Sequence, residues 1–308
     1  MPKAVSFVVP AYNESCYIEA CIRSILRSFA DQFISFQIIV VDNGSDDSTA
    51  EIARTFPIEV FSIARNSVAF ARNYGAKKAK HPIIAFIDGD VEITDEWASC
   101  LSAKYNDFLE SPGFITGHQC IVPETGSWIE QHWFKNIKDQ LLGGANIITS
   151  RQAFDDIGGF DESLKTGEDY DFCQRYIQQG MDYSTDPEFK AIHLGFPHTL
   201  KGFLKREYWH GEGDFKSFAR FRRSIVAIIA VTYLALLVAL FLSALMEYWR
   251  IASSILVALA ALNLAITLKR FSQCPVRTIL VNYFLNFCYF LARIGSLFRM
   301  LKNRALAY

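Results

Sequence analysis

An α/β domain with a mostly parallel sheet, followed by membrane-spanning helices, is the fold class this sequence predicts, and three observations predict it. Short apolar runs alternate with polar or amphipathic stretches through the N-terminal part. Polar, turn-forming clusters follow three of those runs, two of them rich in aspartate. Beyond residue 224, long segments lack charge altogether. The 308 residues suffice for one large α/β domain with an appendage, and a hydrophobic content of 51% is high for a purely soluble protein.

The elements follow in order. Residues 4–9 (AVSFVV) form a β-rich run ended by Pro10, and residues 38–41, 58–63 and 83–87 are further short strands. In such a sheet, ligands bind at the carboxyl ends of the strands. The clusters stand there: PAYNES (residues 10–15), DNGSDDST (42–49) and DGD (88–90). DNGSDDST also reads as an Asn-Gly turn, with Asp47 or Ser48 capping the helix TAEIAR, although a turn and a cap leave three aspartates in six residues unexplained.

For DGD, Gly89 lets the backbone bend so that Asp88 and Asp90 turn toward one point. Oxygen ligands of that kind suit Mg²⁺ or Mn²⁺, which complete their shell with water and phosphates. The plainer alternative is that Asp90 or Asp95 caps the helix beginning near Thr94. The segment TGEDYDFCQRYIQQG reads as an amphipathic helix with acidic residues in its first turn and Gly180 at its end.

Residues 224–246 can cross a bilayer, and residues 251–268 are near the lower length limit. Lys216, Arg220, Arg222 and Arg223 flank the first span, and Lys269, Arg270 and Arg277 flank the second, which places the N-terminal domain in the cytosol by the positive-inside tendency. The start has too short an apolar run for a signal peptide. A third segment, residues 278–298, is an interfacial or third transmembrane helix, because its apolar part runs into Arg293, Arg299, Lys302 and Arg304. A formal net charge of −1 argues against a nucleic-acid binder. Seven cysteines without a CxxC pair read as reduced apolar residues.

Taken together, VSFVVPAYNES, VVDNGSDDST, FIDGDV and GGFDESLKTGEDYDFCQR resemble, in order, the motifs of inverting family 2 glycosyltransferases of the GT-A fold. The resemblance covers about residues 1 to 220. It implies a Rossmann-like nucleotide-sugar domain, with Pro10, Ala11, Tyr12 and Glu14 lining the nucleotide pocket and Asp42 reading the base or ribose. It implies Asp88 beside the ribose and donor sugar with Gly89 between the carboxylates, Asp90 as metal ligand, Asp169 as catalytic base and Glu168 beside it. GGAN, ending in Asn146, is similar to a segment bordering the donor sugar, and His193 matches a metal or diphosphate contact of some relatives; a Gly-rich turn and a structural histidine are the alternatives, and His198 carries less signal still.

The domains expected are a glycosyltransferase domain at 1–200, a basic amphipathic connector at 201–223 and a membrane anchor at 224–308. The reading is transfer of one sugar from a nucleotide-diphosphate sugar to a hydroxyl or phosphate acceptor, lipid-linked, at the cytoplasmic membrane face. Processive synthases of this family carry QxxRW where this chain has KREYW (205–209), which keeps the Trp but has Lys205 and Tyr208 at the Gln and Arg positions. A non-catalytic scaffold would tolerate loss of carboxylates, yet Asp42, Asp88, Asp90 and Asp169 are present.

Overall fold

The computed structural model describes residues 3–111, 113–137, 141–215 and 217–305; Lys216, one of the flanking cations, lies outside them. The chain divides into two compact units, one of residues 1–124 with 139–196 and one of residues 125–138 with 197–308. Sequence patterning does not single out residues 125–138 as belonging with the C-terminal part.

The first unit runs β1 Ala4–Ala11, α1 Ile18–Phe29, β2 Ser35–Asp42, α2 Thr49–Ala53, β3 Glu59–Ser62, α3 Val68–Lys78, β4 Ile83–Ile87 and β5 Val91–Ile93. It continues with α4 Asp95–Lys104, α5 Asp107–Glu110, β6 Ile115–Gly117, β7 Asn146–Ser150, α6 Arg151–Ile157, α7 Glu168–Gln178 and β8 Ala191–His193. Six strands form one sheet in the order β3-β2-β1-β4-β7-β6. The pairings among β1 to β4 are parallel, and β7 runs antiparallel to both β4 and β6, so the expected mostly parallel sheet is present.

Both sheet faces are covered, which explains why its strands read as continuous apolar runs. Phe7, Val9, Ile38 and Val40 pack on one side, and Val8, Ile39, Val41 and Phe86 on the other, with the two-residue period of a strand. Helix α1 buries Ile18, Cys21, Ile22, Ile25 and Phe29, a spacing of three and four that makes one apolar stripe. Phe29 and Trp97 both meet Phe7 there, with ring centroids 5.2 and 5.6 Å away.

The second unit holds a π-helical turn, Glu130–Phe134, with α8 Leu200–Asp214, α9 Phe218–Arg223, α10 Ile225–Leu245, α11 Trp249–Phe271 and α12 Val276–Ala305. By length and composition, α10, α11 and the stretch Val276–Lys302 of α12 can each cross a membrane. They differ in burial: 17% and 22% of the apolar windows of α10 and α11 are buried, against 56% for α12. Thus α10 and α11 present most of their apolar surface outward, as lipid-facing helices do, whereas α12 turns much of its surface into the unit.

Polar side chains join these three helices. Tyr233 Oη donates to Asn263 Oδ1 at 2.7 Å, and Asn286 Nδ2 donates to the same oxygen at 2.8 Å. Small residues let α8 and α12 approach closely: a Cβ on Gly211 would come within 2.3 Å of Ser296 Oγ, and Ser296 Oγ donates to Tyr208 O.

Candidate active site

The loops after β1 and β2 are tied together by the polar residues of their motifs. Asn43 N donates to Ala11 O at 2.8 Å, Asn13 N to Ser45 Oγ at 3.0 Å, and Glu14 N to Thr49 Oγ1 at 2.8 Å. Asp47 accepts from Ser15 N, Thr49 N and Thr49 Oγ1. Those bonds hold its carboxyl at about 2, although its slight burial works in the opposite direction. Asp47 is therefore a structural clasp, and Ser48 occupies the N-cap of α2 without a side-chain bond.

Asp42, buried at the end of β2, accepts from Ser45 N at 3.1 Å. Pro10 and Ala11 pair with Val41 and Asp42 at the end of the strands. Tyr12 is exposed, and the Arg65 guanidinium lies 3.3 Å from its ring centroid, which gives this edge a flat aromatic and cationic surface.

DGD forms a tight turn closed by Val91 N donating to Asp88 O at 3.0 Å. Gly89 is not at positive φ. Its lack of a side chain serves proximity instead, since a Cβ there would lie 3.3 Å from Ala11 Cβ and 3.4 Å from Glu14 Cγ. Thr94, whose Oγ1 accepts from Trp97 N, is the N-cap of α4, and Asp95 accepts from Ser28 Oγ. Capping therefore accounts for neither Asp90 nor Asp95.

The turn leads into β5, which pairs with β8 in a register that sets Val91 opposite His193. The His193 ring stacks on Phe196 with centroids 4.1 Å apart, and its Nδ1 stands 3.6 Å from Asp90 Oδ2. That distance is too long for a hydrogen bond, and Nδ1 is buried without a hydrogen-bond partner. Two ligand atoms each ~2.1 Å from one cation can stand this far apart, so an orphaned nitrogen beside a carboxylate fits a divalent ion. Local charge agrees: burial, then Asp90, Asp88 and Asp47, push the Glu14 carboxyl up to about 9.

Glu168 and Asp169 open α7 after Gly167, which has φ 74°. They are placed differently. Glu168 is buried and accepts from Arg72 Nη1 at 2.6 Å, while Asp169 is partly exposed, accepting from Gly144 N at 3.0 Å and Tyr170 N at 2.7 Å. Asn146 is wholly buried, and all its polar atoms engage protein groups: Trp97 Nε1 donates to its Oδ1, and its Nδ2 donates to Phe189 O and His118 O. In the second unit, His198 Nδ1 lies 2.8 Å from Glu130 Oε2.

A family model described as glycosyl transferase family 2 matches residues 6–111, and one described as glycosyl transferase family group 2 matches residues 129–292, more than half of the chain. The chain belongs to glycosyl transferase family group 2. It is similar to glycosyltransferase AglE of Haloferax volcanii, 25% identical over 245 residues that cover 74% of this chain and 78% of that one. An uncharacterized glycosyltransferase of Haemophilus influenzae is 27% identical over 215 residues, with 65% and 68% covered. The uncharacterized glycosyltransferase EpsJ of Bacillus subtilis is 38% identical over 91 residues, 28% of this chain and 26% of EpsJ.

In this glycosyl transferase, the residue that sequence reasoning missed is Arg72. Its Nη2 donates to Asp88 Oδ1 at 2.7 Å while Nη1 holds Glu168, so one buried guanidinium joins the DGD turn to the start of α7. Burial alone would lower its proton affinity, but Asp88 and Glu168 raise it above the ordinary value. Gly144 is needed here, because a Cβ would come within 2.5 Å of Arg72 Nη2. A signal existed: Ala69, Arg72, Asn73 and Ala76 share one buried face of α3, an odd place for a cation unless carboxylates meet it.

Cys100, Asp186 and Glu188 form another group with metal-binding side chains. Lys104 already pairs with Asp186, and Glu188 N donates to it at 3.0 Å, so much of that charge is answered by the chain itself.

Proposed function

We propose that the protein transfers one sugar from a nucleotide-diphosphate sugar to a hydroxyl or phosphate acceptor, with inversion, in a reaction dependent on Mg²⁺ or Mn²⁺. The observation that carries this reading is the gathering of Asp42, Asp88 and Asp90 at the carboxyl ends of β2 and β4, with Arg72 linking Asp88 to the helix that bears Asp169. Asp42, Tyr12 and Arg65 provide a hydrogen-bond acceptor and a stacking surface for a nucleoside. Asp90 and His193 would hold the cation, which when bound would supply Lewis-acid neutralisation of the leaving diphosphate's charge.

Asp169 is the general base. Its two oxygens are fixed by Gly144 N and Tyr170 N, and their remaining lone pairs can take the acceptor proton as the hydroxyl attacks. Glu168, paired with Arg72 and buried, positions this turn instead. A single displacement on the face opposite the diphosphate inverts the anomeric centre, and the gathered carboxylates suffice for it without a covalent nucleophile.

The acceptor is lipid-linked and the reaction lies at the cytoplasmic membrane face, with α10 and α11 crossing the bilayer. At roughly 1.5 Å per residue, the 21 residues of α10 span about 32 Å, close to the hydrocarbon thickness of ~30 Å. The later part of helix α12 returns to the cytoplasmic end of α10: Arg293 donates to Asp214, which also accepts from Ser224, the N-cap of α10. Farther along, Arg299 pairs with Glu212. A third crossing would carry these partners to opposite sides.

Calorimetry of the detergent-solubilised protein with a panel of nucleoside diphosphates, in Mn²⁺, Mg²⁺ or chelator, tests the reading. One nucleotide is expected to bind in metal and to lose most of its affinity in chelator. Folded protein that binds none would sink the proposal. Gly195→Ala provides a local test, since a Cβ there would fall 1.9 Å from Asp90 Oδ2 and force that carboxylate aside. Metal-dependent nucleotide affinity is expected to fall about 10–100-fold, the usual effect of disturbing a metal site's surroundings. Unchanged affinity would remove Asp90 from the metal site.

A further inference from the structure

The arginines of the second unit differ in how their charge is met. Arg293 is buried and donates through its two Nη groups to Glu207 at 2.9 Å and Asp214 at 3.0 Å. Arg206 pairs with the second Glu207 oxygen at 2.6 Å, and Arg299 with Glu212. Both arginines, with burial opposing them, hold the Glu207 carboxyl at about 2.

Among the described residues, Arg270 has no such partner. It stands at the last turn of α11 and is partly exposed. Its one hydrogen bond goes from Nη1 to a neutral amide, Asn286 Oδ1, at 3.2 Å, and among the described residues no carboxylate pairs with it. Its Nε and Nη2 are not sealed from solvent.

The side chain also runs the unexpected way. A cation ending a membrane helix lowers its cost by reaching outward to water. Arg270 reaches back instead toward Asn286, which is bonded to Asn263 seven residues earlier on α11. Its guanidinium carbon lies 4.7 Å from the ring centroid of Tyr289 and 5.8 Å from those of Trp133 and Phe290, all three buried. Trp133 comes from the π-helical turn, a feature common at functional sites.

An unpaired guanidinium with two open donors, held among aromatic rings at the end of an apolar helix, lacks an anion. We propose that Arg270, steadied by Asn286 and walled by Trp133, Tyr289 and Phe290, binds the phosphate headgroup of the lipid-linked acceptor. This rests on the transfer reading above and adds to it the residues that recognise the acceptor. The guanidinium fork offers parallel donors to phosphate oxygens, and the buried rings hold it in place for them.

The test uses the full chain in phosphatidylcholine nanodiscs. Its probes are a long-chain prenyl monophosphate, the uncharged prenol of equal length, inorganic phosphate and the nucleoside diphosphate. Wild type is expected to bind the prenyl phosphate at least tenfold more tightly than the prenol, and Arg270→Gln to lose that preference with nucleotide binding unchanged. Asn286→Asp, which sets a carboxylate against Arg270 from within, is expected to lose it too and serves if Arg270→Gln does not fold. Displacement of the prenyl phosphate by millimolar inorganic phosphate would uphold the anion site and assign it to free phosphate. Equal prenyl phosphate binding by wild type and both variants overturns the inference. So does wild type that binds nucleotide but shows no preference for the phosphate, whereas failure to bind nucleotide overturns the transfer reading.

Discussion

Replacing Asp169 with asparagine is expected to lower turnover about 10²–10⁴-fold while leaving donor affinity within a few-fold of wild type. Asparagine keeps the shape and one carbonyl acceptor for Gly144 N or Tyr170 N, so α7 retains its first turn. It cannot take a proton from the acceptor hydroxyl. Initial rates with saturating donor, beside calorimetric donor binding, separate the two effects. Full turnover in the variant would end the assignment of Asp169 as base. Glu168→Gln provides the contrast: its partner Arg72 is buried, so this change is expected to lower stability more than to slow the proton transfer.

Arg72→Leu is the change with the largest expected effect on stability, about 3–5 kcal/mol, because it leaves Glu168 buried without its counterion. Burial, the largest cause, already holds the Glu168 carboxyl above the ordinary carboxylate range although Arg72 draws it down. Below the unfolded carboxylate value of ~4.3 the group is protonated in both states, so its unfavourable charge is absent. As pH rises through the raised folded value, stability is lost, and without Arg72 that folded value is higher still. The deficit of the variant is therefore expected to be smallest in acid and to grow toward neutral pH. Denaturant titrations of both proteins between about pH 4 and about pH 8 measure it. A deficit independent of pH would show that Glu168 is not the group left uncompensated. Adding Glu168→Gln to Arg72→Leu is expected to restore part of the loss.

Much of the first unit was legible because its determinants are local. The runs at residues 38–41, 58–63 and 83–87 became β2, β3 and β4 with small shifts at their ends, since an apolar strand between turn residues has few other ways to satisfy its backbone. The acidic loops were equally visible, although their chemistry was not evenly so. Sequence alone could not separate Asp47, which clasps Ser15 and Thr49, from Asp42, nor show that Asn146 has its side chain occupied by Trp97, Phe189 and His118. Each of those distinctions depends on partners remote in the chain.

The anchor was legible by composition in α10 and α11, because an apolar segment of membrane length needs no tertiary partner to be recognised. In α12 composition was ambiguous, and its partners are what describe it: Asp214 and Glu207 meet Arg293, and Glu212 meets Arg299.

What the sequence determined by itself is thus the strand alternation, the three polar turns at strand ends and the two uncharged spans, all of which arise from periodicity and composition over neighbouring residues. Tertiary structure alone decided that Arg72 joins Asp88 to Glu168, that Gly195 must leave room for Asp90 beside His193, and that Arg270 meets an amide and no carboxylate among the described residues. The physical reason is that a charge is stabilised or stranded by whatever folds against it, and those groups stand far away along the chain.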